Sequence, residues 1–419
     1  MIFDYDKKSV MGFLDIGTSK VVCMIGAISS AGNPVCLGVG SVSNEGFSNG
    51  KITDMGKLSF AIEGAVAVAE KKANCHISDV VVSLSGFQFK SYFLESKVAF
   101  NYEQIISVKD IERCARKIPV MKNIDVENYS VIHIVPIKYI IDGKKEVVNP
   151  LNLSATSLKI VYHIVAVDSL MMTELVEAAK RANLEVKDVV ANSYASGLSS
   201  LVDDDRRVGS MVIDIGKSSV SVGIFSEGNF VYTFSLPLGG DYITNYICKK
   251  TNIKFNEAER IKIKYGAVQP LPIDYSEYVN VSVISDNGED ENVDMIKADI
   301  LNIIYPIVKM SFSVIKKYVE DKNFLRFVNR VIITGGGAKI QNIQNVAAEV
   351  FSLPVRVETP SKIDGIEEEY LNPSNATLIG LFDFNFQKSF NAVRVHSDVA
   401  IDKSVGLLGK IKKFINDNF

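Results

Sequence analysis

Leu14-Asp15-Ile16-Gly17-Thr18-Ser19-Lys20 is a short polar turn between two apolar runs, Val10-Met11-Gly12-Phe13-Leu14 before it and Val21-Val22-Cys23-Met24-Ile25-Gly26 after it. Both flanks are rich in β-branched and large apolar residues, which predicts two buried strands joined as a hairpin. Gly17 lets the backbone turn sharply and come close to a ligand, while Thr18, Ser19 and Lys20 add hydroxyls and a cation. An acid at a strand end, just ahead of such a turn, suits a hydrated divalent cation beside phosphates.

The pattern returns much later in the chain. Met211-Val212-Ile213-Asp214-Ile215-Gly216-Lys217-Ser218-Ser219-Val220-Ser221-Val222-Gly223-Ile224 is again strand, Asp-Ile-Gly, small or basic polar residues, strand. A third strand follows each hairpin, Val35 to Ser41 in the first case and Phe230 to Leu236 in the second. The chain therefore reads as two related halves of mixed α/β structure. Facing hairpins of this kind can grip phosphates from both sides, with Asp15 and Asp214 holding Mg²⁺ through water. Val331 to Thr334 reads as a buried strand running into Gly335-Gly336-Gly337-Ala338, where bare backbone leaves room for a flat base and its sugar.

Between these landmarks the texture varies. Residues 87–162 alternate in short runs around one helix, as a small subdomain inserted into the first half would. Ser169 to Ala182 is an amphipathic helix with Ser169 as its expected cap. Asp203-Asp204-Asp205-Arg206-Arg207 reads as a solvated boundary turn, and the long helix from Lys297 to Glu320 is expected to break at Pro306.

Length and composition set the limits. A chain of 419 residues, 47% hydrophobic and 23% charged, calls for two or more folded domains. The formal charge of -3 gives no global reason to bind nucleic acid. Five cysteines lack CxxC spacing and four histidines lack metal-ligand spacing, which disfavours a metal site built from protein ligands alone. The first residues lack the apolar core of a leader, and no long uninterrupted apolar run occurs, so a location on the cytoplasmic side is expected.

The order of these features resembles the actin-like ATPase superfamily, whose fold is a duplicated, two-lobed, ribonuclease H-like α/β architecture around a nucleotide cleft. Within it the chain resembles the FtsA family of bacterial cell-division proteins. The resemblance is carried by Gly12 to Lys20, the Gly46-to-Asp54 loop, Ser83-Leu84-Ser85-Gly86, Asn149-Pro150, the second hairpin, Ala258-Glu259-Arg260-Ile261-Lys262, Thr334 to Ala338 and the tail. It implies Asp15, Gly17, Thr18, Ser19 and Lys20 in a first phosphate loop, and Asp214, Gly216, Lys217, Ser218 and Ser219 in a second. Gly335, Gly336, Gly337 and Ala338 match an adenosine loop, and Glu259 with Lys262 match a helix touching ribose and adenine. The implied ligands are ATP and Mg²⁺. The second loop departs from the family's Asp-Ile-Gly-Gly-Gly-Thr, with Lys217, Ser218 and Ser219 after Gly216 and Ser221 where an Asp often stands. Restricted backbone and a missing carboxylate lead to an expectation of ATP binding with weak or absent hydrolysis and no assigned catalytic residue.

The implied division is a first lobe of 1–86 and 163–200 with 376–386 packing on it, an insert at 87–162, and a second lobe of 201–240 and 306–375. A second small subdomain at 241–305 is the family's docking surface for the C-terminal tail of FtsZ. Residues 387–403 read as a linker spanning roughly 20–25 Å as a flexible chain. In 404–419, Leu407, Leu408, Ile411, Phe414, Ile415 and Phe419 fall within an arc of roughly 140° on a helix, with Lys410, Lys412 and Lys413 outside it. That pattern suits an anionic membrane surface. The resemblance implies a protein that polymerises on the cytoplasmic face of the inner membrane at the division septum, anchoring FtsZ filaments and meeting further division proteins. The rival reading is an active ATPase or small-molecule kinase of the same superfamily.

Overall fold

The two Asp-Ile-Gly hairpins seed two sheets of one design. The computed structural model describes residues 5–86, 89–119, 123–125, 127–284 and 290–386. In the first half, β1 (Met11–Ile16), β2 (Lys20–Ile28) and β3 (Pro34–Ser43) form an antiparallel meander. A two-residue pair, β4 (Phe47–Ser48) and β5 (Lys51–Ile52), clips the next loop before α1 (Met55–Ala73), whose first turn is capped by Asp54. Strand β6 (Asp79–Leu84) then lies parallel to β1.

The insert follows as β7 (Lys90–Ile105), α2 (Val108–Ala115), β8 (Tyr129–Ile141), β9 (Lys145–Val147) and β10 (Ser154–Asp168). Its strands pair in the order β7-β10-β8-β9 and enclose a core of their own around Ile111, Leu158, Tyr162 and Ile164. The first half resumes with α3 (Ser169–Arg181), β11 (Glu185–Ala191), parallel to β6, and α4 (Asn192–Ser200). The cap of α3 is Asp168 rather than the expected Ser169. Its carboxylate accepts the N–H groups of Leu170 and Met171, both at 3.0 Å, from the last strand position before the helix.

After α5 (Asp203–Val208), the second half repeats the plan with β12 (Ser210–Ile215), β13 (Val220–Ser226) and β14 (Asn229–Leu236). Helices α6 (Gly240–Thr251) and α7 (Phe255–Tyr265), the hairpin β15 (Tyr278–Ile284) with β16 (Asp290–Ile296), and α8 (Lys297–Asp321) come next. Strand β17 (Arg330–Thr334), α9 (Ile343–Phe351), β18 (Val355–Val357) and α10 (Ala376–Phe386) complete the described chain. The sheet orders are β11-β6-β1-β2-β3 and β14-β13-β12-β17-β18. Asp15 pairs with Val22 and Asp214 with Ser221, each one residue before the last pair of its hairpin. The duplication therefore holds in topology and in register.

Helix α8 runs through Pro306 without a break, contrary to expectation. Its buried face, including Ile300 and Ile304 before the proline and Ile307, Phe312 and Ile315 after it, packs in one continuous second core. That packing outweighs the hydrogen bond proline cannot donate. By length and apolarity alone α8 could cross a membrane, but half of its apolar window is buried within this core, which marks a core helix.

The acidic-basic stretch at 203–207 also differs from its reading as a solvated turn. Asp205 is fully buried at the base of the second sheet. Its carboxylate accepts from Arg330 at 2.7 Å and Arg356 at 2.5 Å, and from the N–H of Val202 at 3.1 Å. Burial alone would raise its pKa, but Arg356, Val202 and Arg330 together hold it below the usual carboxylate value. This group therefore stabilises the fold above the ordinary carboxylate pKa, and the contribution disappears as pH falls through the depressed value. Asp205→Ala is expected to cost about 3 kcal/mol, at the lower end for a broken buried ion pair because both guanidiniums keep solvent contact. Urea unfolding at pH 7 checks the magnitude, and the same substitution should flatten the acid limb of stability against pH.

Candidate functional site

The carboxyl ends of the parallel strands in both sheets open onto one cavity of about 720 Å³. From the first half come Asp15, Gly17, Thr18, Ser19 and Lys20; from the second come Asp214, Gly216, Lys217, Ser218, Ser219, Glu259, Lys262 and Gly335 to Gly337. The two hairpins close in the same way, with the N–H of Gly17 donating to Lys20 O at 3.0 Å and that of Gly216 to Ser219 O at 2.9 Å. Their tips touch: the hydroxyls of Thr18 and Ser218 lie 2.7 Å apart. Behind the first tip, the Asn44 amide donates to Gly17 O at 2.8 Å. Behind the second, the start of α6 donates from Gly240 and Asp241 to the carbonyls of Gly216 and Lys217, at 2.9 and 2.7 Å.

The electrostatics centre on two acids. Asp15 accepts from Ser83 at 2.7 Å. Burial raises its pKa, while the Ser83 hydroxyl and the charge of Lys20 oppose the shift. Burial pushes Asp214 up to about 7, the hydroxyls of Thr377 and Ser196 pull against that shift, and the charge of Asp15 adds to it. The Thr377 hydroxyl donates to Asp214 at 3.0 Å. Lys20 donates to the Asn375 side chain at 2.7 Å; its own pKa is lowered by burial, with Asp15 opposing and Lys339 reinforcing. Lys217 and Lys339 are exposed at the rim. Among the described residues no group of three or more His, Cys, Asp or Glu forms a metal cage. The two acids instead suit a cation that keeps most of its water and is shared with phosphate oxygens.

The remaining sequence-derived positions divide. Lys262 is 8% exposed and donates to Gly240 O, Thr244 Oγ1 and Glu259 Oε2 at 2.9, 2.8 and 2.6 Å. An ammonium has three donors, so this lysine is committed to clasping α6 to α7, although it lines the cavity beside Glu259. Of the three glycines, Gly335 has φ +86 and a Cβ there would strike the Asp214 carboxylate; a Cβ at Gly337 would strike Ile215. At Gly336 the nearest atom is Ser374 Oγ at 3.6 Å, so Gly336 presents bare backbone to the cavity. Ala338 is not part of the cavity wall. It lies in the second core at 4% exposure, and its N–H turns back to Gly335 O at 3.2 Å. The positions expected from the sequence to meet a membrane, Leu407, Leu408, Lys410, Ile411, Lys412, Lys413, Phe414, Ile415 and Phe419, lie outside the described residues.

Sequence reasoning missed the wall contributed by 369–377. Pro373 O accepts from Gly335 N at 3.0 Å and so pins the glycine loop, while Asn375 and Thr377 hold Lys20 and Asp214. Nothing in the local pattern of 369–377 announces a site, because its role arises only where this segment crosses between the halves. Asn192 and Ser85, at the ends of β11 and β6, were likewise unassigned.

Two register-matched hairpins, one in each of two duplicated halves and meeting over a shared cavity, define an actin-like protein. Solved structures agree on the fold. PilM of a "PilM-PilN type IV pilus biogenesis complex" superposes with a TM-score of 0.62 at 15% identity, covering 89% of this chain and 98% of the other. MreB5 of Spiroplasma citri, in a structure bound to ADP, gives 0.54 at 14% identity, covering 90% and 97%. The family model described as "Cell division protein FtsA" matches residues 211–380, and that of the "SHS2 domain inserted in FTSA" matches 86–166. Cell division protein FtsA of Buchnera aphidicola is 27% identical over 93% of this chain and 94% of its own length. That of Pseudomonas aeruginosa is 26% identical over 98% of each, and that of Escherichia coli K12 25% over 93% of each. The chain belongs to the FtsA family of cell-division proteins.

The raised pKa of Asp214 has a measurable consequence. A carboxyl held protonated up to about 7 makes the ligand-free fold lose stability as pH rises from the ordinary carboxylate value toward 7. Asp214→Asn keeps an oxygen for Thr377 and removes the titration. Thermal melts of ligand-free protein should therefore show a drop between pH 5 and 7.5 that is larger in the parent than in the variant, where Asp383, also pushed up to about 7 by burial, still contributes.

Proposed function

We propose that this chain binds ATP with Mg²⁺ between its halves and works as a nucleotide-dependent adaptor, assembling on the membrane and tethering FtsZ filaments there. The observation that carries the nucleotide part is the pair of hairpins meeting at Thr18 and Ser218 with an acid behind each tip. Backbone N–H groups, the hydroxyls of Thr18, Ser19, Ser218 and Ser219, and Lys20 match the oxygens of a polyphosphate. Bound MgATP supplies a polyanion and a hydrated cation between those groups, with Asp15 and Asp214 the residues to hold the cation through water. Gly336 is the bare backbone against which a base and sugar can lie, and Glu259 faces the same side.

Weak turnover follows from the second loop. Lys217 stands exposed at the rim, and Ser221, at the position where relatives often carry a carboxylate, bonds Ser235 at 2.9 Å and is fully buried. No carboxylate from that strand position is available to orient water. Purified protein is expected to bind MgATP with a turnover far below that of an active kinase. Gly336→Val should weaken nucleotide binding by at least about tenfold, as obstruction of a face-on contact would. Equilibrium titration with a fluorescent ATP analogue checks the affinity, and phosphate release checks turnover; rapid release would favour the ATPase or kinase reading.

The tethering part rests on the family and on the tail sequence. Residues 404–419 would insert the apolar arc while the lysines meet anionic headgroups, each copy weakly and an assembled row strongly. Residues 241–305, which include α6, α7 and the β15–β16 hairpin, are the proposed seat of the FtsZ tail. Full-length chain should sediment with vesicles containing anionic phospholipid, and protein lacking 404–419 should stay in the supernatant. Equal sedimentation of both would remove the tail from this proposal.

A further inference from the structure

Each sheet has an edge strand that faces the insert, β11 in the first half and β14 in the second. An edge strand carries outward N–H and C=O groups that must be covered or solvated. The insert covers some of both with two histidines. His163 of β10 sits opposite Val135, and His133 of β8 opposite Val165, so both rings leave the same face of the insert sheet. Burial lowers the pKa of His133 to about 3 and of His163 to about 4, which keeps both rings neutral. A neutral imidazole has one donor and one acceptor, and the partners fix which is which. His133 Nε2 accepts the Ala191 N–H of β11 at 3.0 Å. His163 Nδ1 donates to Phe230 O of β14 at 2.9 Å, leaving Nε2 to accept from the Ser91 hydroxyl at 2.9 Å. Ser91 Oγ in turn accepts the Thr233 N–H at 3.3 Å and lies 3.0 Å from Thr233 O.

The two attachments differ in kind. At β11, His133 is 1% exposed between the rings of Tyr194 and Phe384, at 5.1 and 6.2 Å, and Ile132, Val165 and Val167 belong to the first core. At β14 the joint is roofed by Phe93, which stacks on His163 at 5.5 Å and on Phe324 at 5.7 Å but is itself 42% exposed. Ser91 beneath it is half-buried, and its bonds join neutral groups that water can replace. Of Ser91, Phe93, His133, His163 and Thr233, none lines the cavity. Thr233 nevertheless meets α4, its hydroxyl 2.7 Å from that of Ser193, on the helix that carries Ser196 to Asp214.

We propose that the insert is a strap across the two halves, anchored on β11 through His133 and latched on β14 through Ser91, Phe93 and His163, and that the latch opens and closes as the halves part and meet. Opening turns the Thr233 N–H and Phe230 O to water at the edge of the second sheet, while the anchor keeps the insert on the first half. A looser latch lets the halves part more readily, so a ligand enters and leaves the cavity faster. That last step rests on the nucleotide-binding reading above; the latch itself does not.

The test uses the full chain as the parent, as Phe93→Ala and as Ser91→Ala. Hydrogen exchange of ligand-free parent should find the Thr233 amide at least about tenfold less protected than the Ala191 amide, because only the latch opens by local motion. Phe93→Ala should lower protection at Thr233 by a further factor of about five or more, change Ala191 by less than about twofold, and leave the insert core around Ile111 and Leu158 as it was. Equal protection of the two amides in the parent, or equal losses at both in the variant, overturns the proposal. Stopped-flow mixing with a fluorescent ATP analogue then reads the cavity. Phe93→Ala should raise the association and dissociation rates together by about threefold or more, with affinity changed by less than about twofold, as a gate would and a ligand contact would not. Unchanged rates in a variant whose Thr233 has lost protection reduce the joint to static packing and overturn the proposal. If Phe93→Ala does not fold, Ser91→Ala, which removes the partner of the Thr233 N–H and leaves the ring in place, decides by the same two readouts. A parent that binds no nucleotide brings down the nucleotide reading, whereas the exchange ratio still decides the latch.

Discussion

Helices α4 and α10 cross at Gly380, where a Cβ would drive into the Ala195 carbonyl. The rest of the cavity depends on this crossing. The two helices lie between the duplicated sheets, and each sends one hydroxyl to Asp214: Ser196 from α4 and Thr377 from α10. On the opposite flank of α4, Tyr194 stacks on Phe225 and Phe230 from the second sheet, with ring centroids 6.3 and 4.8 Å apart. The first core takes in those two rings together with Val212 and Ile332. A side chain at position 380 would part the helices, and with them the halves whose hairpins must meet.

The crossing also explains how a buried acid is tolerated. An ionised carboxylate removed from water is costly unless it is paired, and Asp214 has only hydroxyls for company while Asp15 repels it. Asp205 is as deeply buried and has the opposite bias, because two guanidiniums surround it. One acid is a finished structural joint. The other is held in reserve by neutral donors, in a state that a cation or a proton can complete. The contrast between Asp205 and Asp214 separates architecture from site more clearly than burial does.

How much of this could be read from the chain follows from the range of each interaction. The hairpins were legible because strand, turn and strand are contiguous, and the second copy supplied the comparison; the insert showed itself by a change of texture. Asp205 was misread because its partners, Arg330 and Arg356, lie far away in sequence, so a run of acids and bases looked solvated. Pro306 was given too much weight because the apolar face of α8 on both sides of it can only be priced against the core it meets. Lys262 and Ala338 carry the right motif, but in space the lysine is spent on three neighbours and the alanine points inward. Segment 369–377 was invisible because its groups acquire meaning only at the crossing.

What joins the hairpins directly is modest. The Thr18–Ser218 contact links two neutral hydroxyls, and such a bond contributes about 0.5–1.5 kcal/mol, against about 1.5–3 for a bond to a charged group. The supports behind each tip are stronger in number: Asn44 on the first loop, and the start of α6 with the Lys262 clasp on the second. Each hairpin is therefore braced within its own half, while the link between them is one weak, replaceable bond. An anion arriving between the tips can take over both hydroxyls and exchange a neutral bond for charged ones. The hairpin tips are thus the replaceable part of a joint whose permanent part is the α4–α10 crossing and the core it shares with Val212, Phe225, Phe230 and Ile332.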